Sequence, residues 1–160
     1  MLIRPASSDD GDAIWSIIGP VIRAGDTYAL DPRMSREDAL AYWMGPDRET
    51  FVAEADGAVM GTYYLRANQG GGGGHVCNCG YMTGEAARGR GVARAMCAHS
   101  LDRARERGFR ATQFNFVVST NARAVELWQA MGFDIVGRLP EAFDHPAQGY
   151  VDALVMYRKL

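Results

Sequence analysis

Arg88-Gly89-Arg90-Gly91-Val92-Ala93 decides the reading of this chain. The six residues lie between a strand-like run, Val76 to Thr83, and a helical stripe of Ala93, Met96, Cys97, Leu101 and Ala104. Glycine at a strand-to-helix turn lets backbone approach a ligand with no Cβ in the way. The first N–H groups of a helix lack partners in their own helix and carry the positive end of its dipole. Together these make a site for a pyrophosphate, and Arg88 and Arg90 add charge. No Gly-Lys-Ser/Thr follows, so the turn is not a Walker A loop, and the G-x-G-x-x-G spacing is absent. A tight turn whose glycines only permit packing is the competing reading of these six residues taken alone.

Outward from the turn, the helix ends at Gly108, and Ala111 to Val118 reads as the next strand. Asn121 stands at the head of a further helix with an inner face of Ala124, Val125, Leu127, Trp128 and Met131. Two last strands, Phe133 to Arg138 and Tyr150 to Arg158, are expected around a loop from Pro140 to Gly149. Toward the amino terminus, Asp56-Gly57 joins Thr50–Ala55 and Val59–Arg66 in a hairpin. Ser35-x-x-Asp38 and Ser7-x-x-Asp10 head two earlier helices. Gly19-Pro20 should kink or break the first of them. Leu2 to Ala6 is the first strand. The order β-α-α-β-β-β-α-β-α-β-β predicts one α/β (α+β) domain spanning residues 1–160, a mixed sheet with helices on its faces.

Composition narrows the class. The chain has 160 residues, 48% hydrophobic and 22% charged, with a net charge of -2. That balance excludes disorder and gives no basic field for nucleic acid or an anionic membrane. The apolar runs are too short for a transmembrane helix, and the start lacks a signal peptide's basic and apolar regions, so a cytoplasmic location is expected. Three cysteines, Cys77, Cys79 and Cys97, do not make a disulfide framework. His75, Cys77 and Cys79 share a strand face but lack a fourth ligand, so no metal is expected. Glycine is in excess, 19 of 160, but only Gly89 and Gly91 point to function. Gly70 to Gly74 sits in a loop with no helix after it.

Arg-x-x-Gly-x-Ala opening a helix after a strand resembles the acetyl-CoA pyrophosphate loop of the GNAT superfamily of N-acetyltransferases. Asn121-x-x-Ala124-x-x-Leu127-Trp128-x-x-x-Gly132-Phe133 resembles that superfamily's second signature. The resemblance implies a mostly antiparallel sheet of about seven strands flanked by about four helices, with acetyl-CoA as co-substrate. Gly61-Thr62-Tyr63-Tyr64-Leu65-Arg66-x-Asn68, Cys77-Asn78-Cys79-Gly80-Tyr81-Met82 and Phe114-Asn115-x-Val117-x-x-Thr120-Asn121 are similar to a yeast branch that acetylates azetidine-2-carboxylate and other proline analogues.

By resemblance, the fourth strand splays from the fifth after about Tyr81. Pantetheine pairs with the backbone of Tyr81 to Thr83, and an N–H near Met82 polarises the thioester carbonyl. Pyrophosphate meets Arg88, Gly89, Arg90, Gly91, Val92 and Ala93, while Asn121 and Trp128 line the donor. Many relatives have Tyr where this chain has Trp128, and an indole is not a practical acid; core packing with donor contact is the reading for Trp128. Asn78 and Asn115 are expected to bind the acceptor and hold water beside it, against a plain role in bonding strands or turns. Thr27 and Tyr28 fall in the loop that covers the acceptor in relatives, or form a packed loop. Glu141, Asp144 and His145 read as solvated, and Asp152 and Tyr157 as structural.

The expected function is N-acetylation of a small-molecule amine, an amino or imino acid or a toxic analogue, by direct attack in a ternary complex. Acetylation of a peptide or protein amine is a second reading. A catalytically weak acyl-CoA-binding module is a third. Apolar segments on the late strands leave room for a homodimer.

Overall fold

In a computed structural model describing residues 1–160, seven strands form one sheet in the order β1-β2-β3-β4-β5-β7-β6. The strands are β1 (Leu2–Pro5), β2 (Glu49–Ala55), β3 (Ala58–Ala67), β4 (Val76–Thr83), β5 (Ala111–Val118), β6 (Asp134–His145) and β7 (Gly149–Lys159). The helices are α1 (Gly11–Ala24), α2 (Arg36–Trp43), α3 (Val92–Glu106) and α4 (Ala122–Ala130). This is the order expected from the sequence. All neighbours are antiparallel except β4 and β5.

Each face of the sheet carries its own core. On one side, Ile14, Ile17, Ile18 and Ile22 of α1 pack with Trp43, Val52, Tyr64 and Met82. On the other, Met96, Cys97 and Leu101 of α3 and Trp128 of α4 pack with Tyr63, Phe114 and Met156. The hairpin turn at Asp56-Gly57 has positive φ at both residues, 53° and 74°, as a two-residue I′ turn requires. Ser35 caps α2 through its side chain, which accepts from the Asp38 N–H at 3.1 Å.

Of the kink or break expected at Gly19-Pro20 the break does not occur, and the loop expected from Pro140 to Gly149 is replaced by strand as far as His145. Helix α1 runs unbroken to Ala24 with Pro20 inside it. Its four buried isoleucines are each worth about 1.5–3 kcal/mol, which together outweigh the ~3 kcal/mol cost of an interior proline. The segment from Pro140 is not a loop: β6 continues to His145, paired with β7 to Gly149. A register shift between Leu139 and Phe143 absorbs Pro140, and Glu141 there has φ 50°. A bulge tolerates a residue without an N–H where a ladder does not. The β6–β7 hairpin also carries the exposed apolar side chains Ile135, Val136, Leu139 and Tyr150.

Candidate active site

The functional geometry starts where β4 and β5 part. They pair only at Val76↔Ala111 and Cys77↔Thr112. The wedge therefore opens after Cys77, four residues before the expected Tyr81. Its apex is closed by a side chain: Asn78 Nδ2 donates to the Gln113 carbonyl at 3.0 Å, in place of a backbone partner.

Parity along β4 fixes which peptide groups face the wedge. Asn68 N donates to Val76 O at 2.8 Å and Gly84 N to Met60 O at 2.9 Å. Antiparallel partners alternate between bonded and non-bonded pairs, so with the observed register Asn78, Gly80 and Met82 spend their backbone groups on β3. Those of Cys79, Tyr81 and Thr83 face β5, across the opening. The Met82 N–H itself is turned to β3, so the N–H groups near Met82 that face the wedge are those of its odd-numbered neighbours, Tyr81 and Thr83. At Tyr81 both groups are engaged by Tyr28: Tyr81 N donates to Tyr28 Oη at 2.8 Å, and that hydroxyl donates to Tyr81 O at 2.9 Å. Burial pushes the Tyr28 phenol well above its ordinary pKa. Its ring packs edge-on against Trp43 at 6.1 Å, so the loop between α1 and α2 is pinned onto the sheet.

A cleft of about 1030 Å³ runs from this wedge to the head of α3. At that head, Gly89 and Gly91 have φ of 76° and 74°, and open space lies where each Cβ would be. The first bond inside the helix is Ala95 N to Gly91 O. The N–H groups of Val92, Ala93 and Arg94 therefore have no acceptor, and Arg88, Gly89, Gly91 and Ala93 line the cleft. Bare backbone, free amides and a cation fit a pyrophosphate. Arg90 does not join them: its guanidinium reaches Asp56 at 3.2 Å, on the hairpin turn. Arg94 and Arg123 line the cleft instead. Sequence reasoning missed both, although one signal was available. Each is a cation in a helix's first turn, where the dipole disfavours it unless an anion is to be met there.

Thr27, Tyr28, Asn78, Asn115, Tyr81, Met82, Thr83, Asn121 and Trp128 all border the same cleft. Asn121 heads α4 without a side-chain capping bond, which leaves its amide free. Trp128 is 8% exposed, its ring 5.0 Å from Tyr81 and 5.2 Å from Phe114. Asn115 Nδ2 donates to Asn68 Oδ1 at 2.6 Å, and Asn115 Oδ1 accepts from Gln113 Nε2 at 2.9 Å. Asp26, Tyr42 and Tyr64, which sequence reasoning missed, also line the cleft. Gly80 makes room for Tyr64: a Cβ at Gly80 would lie 2.6 Å from that ring. The late polar groups lie elsewhere. Asp152 pairs with Arg138 at 2.7 Å, and His145 Nδ1 accepts from the Ala147 N–H in its own turn. The three cysteines are buried thiols, with Cys77 Sγ 3.2 Å from Thr112 Oγ1. No helix is long and apolar enough to cross a membrane.

Comparison with known proteins agrees with this geometry. The sequence profile of the acetyltransferase (GNAT) family matches residues 21–133. N-acetyltransferase aca1 of Schizosaccharomyces pombe is 27% identical over 151 residues, covering 84% of this chain and 72% of that protein. A GCN5-related N-acetyltransferase from Kribbella flavida superposes with a TM-score of 0.94 at 46% identity, over 99% of this chain and 97% of that one. The fold is also that of a GNAT superfamily phosphinothricin acetyltransferase from Sinorhizobium meliloti in complex with acetyl-CoA. There the TM-score is 0.87 at 21% identity, over 99% and 88% of the two chains. The profile covers most of the chain, so the protein belongs to the GNAT family, acyltransferases that draw their acetyl group from acetyl-CoA.

Proposed function

We propose that the acceptor is a primary or secondary amine of a small molecule, an amino or imino acid or an analogue of one, acetylated by direct attack in a ternary complex. The observation that carries this reading is the roof over the acceptor side of the wedge. The α1–α2 loop is held down by the two Tyr28–Tyr81 hydrogen bonds, with Tyr42 and Tyr64 as walls. A peptide substrate needs an open groove there. The likeness to S. pombe N-acetyltransferase aca1 is in keeping with transfer to nitrogen.

In this reading the donor's pyrophosphate rests on the free amides of Val92, Ala93 and Arg94 and on the bare backbone at Gly89 and Gly91, with Arg88 beside them, and Asn121 and Trp128 flank the donor. Pantetheine extends along the open β4 edge at Thr83 and Tyr81. A wedge-facing β4 N–H stabilises the oxyanion, an interaction whose loss typically costs about 10²–10³-fold in rate. Asn78, fixed through its Nδ2, presents Oδ1 to the amine, and Asn115 holds water for the departing proton. An amide cannot keep a proton but can orient the water that takes it. Positioning supplies the larger share, up to about 7–11 kcal/mol.

The test is thiol release from acetyl-CoA across a panel of amino acids, imino acids, other small amines and peptides, with CoA binding measured by calorimetry in parallel. Turnover confined to small amino or imino acids is expected. Preferential turnover of peptides overturns the substrate class. CoA binding with no turnover on any amine makes the protein a binding module.

A further inference from the structure

Acyl transfer leaves a thiolate that must collect a proton, and Trp128 offers no acid for it. The other phenols near the wedge divide by where they point. The Tyr81 hydroxyl is on the α3 side, 2.7 Å from Ser100 Oγ. That of Tyr63 is 2.6 Å from His99 Nδ1. Tyr64 lies over Gly80 on the acceptor face, with Tyr42 edge-on to it at 6.2 Å. The Tyr28 hydroxyl is seated on the open edge of β4 itself, at the Tyr81 peptide.

A donor anchored at residues 88–94 and extended along β4 meets Thr83 first and Tyr81 next. Its thioester end therefore arrives at the peptide the Tyr28 hydroxyl occupies. That hydroxyl gives the peptide one acceptor and one donor, and an arriving carbonyl replaces the acceptor. We propose that Tyr28 is a catalytic residue of this enzyme, the acid that protonates the departing thiolate in place of a residue on α4. The inference rests on the N-acetyltransferase reading above.

The step balances. The amine lone pair forms the C–N bond to the acetyl carbon. The C–S bond breaks and its electron pair leaves on sulfur. The Tyr28 O–H proton passes to sulfur, and the proton shed by the acylated nitrogen passes through water and restores the phenol. The products are an acetamide and the CoA thiol. A phenol holds its proton at neutral pH and so has one to give.

Tyr28→Phe keeps the ring and removes only the hydroxyl. Its kcat is expected to fall about 10²–10³-fold, within the range for general acid catalysis. CoA affinity by calorimetry and acceptor KM stay within about threefold, and the solvent deuterium isotope effect on kcat expected of the wild type disappears in the variant. Retained CoA binding shows that the variant is folded. A kcat within about threefold of wild type overturns the assignment. So does a loss of kcat matched by an equal loss of CoA affinity, the mark of a merely structural tyrosine. A wild type that releases no thiol with any amine is a different failure: it removes the transferase reading and this assignment with it.

Discussion

Gly80 shows how tightly a single position on β4 constrains the acceptor side. A Cβ there would meet Tyr64 Cε1 at 2.6 Å and its hydroxyl at 2.9 Å. The ring cannot retreat, because Trp43 sits 4.9 Å away. Gly80→Ala is therefore expected to cost about 1–3 kcal/mol by overpacking and to raise the acceptor KM, with CoA affinity unchanged. Thermal melting and a KM series check this, and an unshifted melting temperature refutes it. Asn78→Ala and Asn115→Ala each remove hydrogen bonds worth about 1–2 kcal/mol. Turnover should fall at least about tenfold while CoA still binds; wild-type kinetics in both variants would end their assignment. At this scale the sequence was readable where a residue type has one use. The positive-φ glycines at 89 and 91 and the asparagines bordering the wedge were found. Arg90 was misplaced because a flexible side chain goes to its best partner, here Asp56. Strand parity was likewise invisible, and it turns the Met82 N–H to β3 while those of Tyr81 and Thr83 face the wedge.

Elements are set by burial, and both element-scale surprises involve proline. In α1, Pro20 withholds the N–H that the Ser16 carbonyl would accept in a regular helix. The helix survives because Ile14, Ile18 and Ile22 are at most 1% exposed on its other face. Pro20→Ala should restore the helical bond and stabilise the protein by up to ~3 kcal/mol, a rise of about 2–4 °C in melting temperature per kcal/mol for a chain of this size. A lower melting temperature would mean that Pro20 packs against something the helix needs. Pro140 is expected to open a loop that runs to Gly149, yet a bulge carries it and β6 goes on. Local signals mark where a ladder is disturbed. Whether the strand resumes is decided by its partner, and Phe143↔Val151, Asp144↔Tyr150 and His145↔Gly149 supply that partner.

The whole molecule is two half-sheets joined at a narrow seam. The β4 and β5 backbones pair at just two positions, and side chains tie the rest of the seam, through Asn78–Gln113, Cys77–Thr112 and Asn115–Asn68, with α3 packed across β3, β4 and β5. The element order was legible because each strand and helix carries its own periodicity and caps. The seam was not, since only pairing reveals where two adjacent strands let go. A donor bound in the wedge spans both halves and fills the edge that the seam leaves open. At about 100 times its dissociation constant, CoA should add about 2.7 kcal/mol of stability, or about 5–11 °C in melting temperature. Amide exchange locates the effect. Thr83 and Cys79, whose N–H groups face the wedge, should be strongly slowed by CoA, and Tyr81 should change less because Tyr28 already covers it. The Met82 amide, already committed to β3, should scarcely respond. Equal protection of Met82 and Thr83 would mean that β4 shifts register when the donor binds, and the assignment of wedge donors would have to move with it.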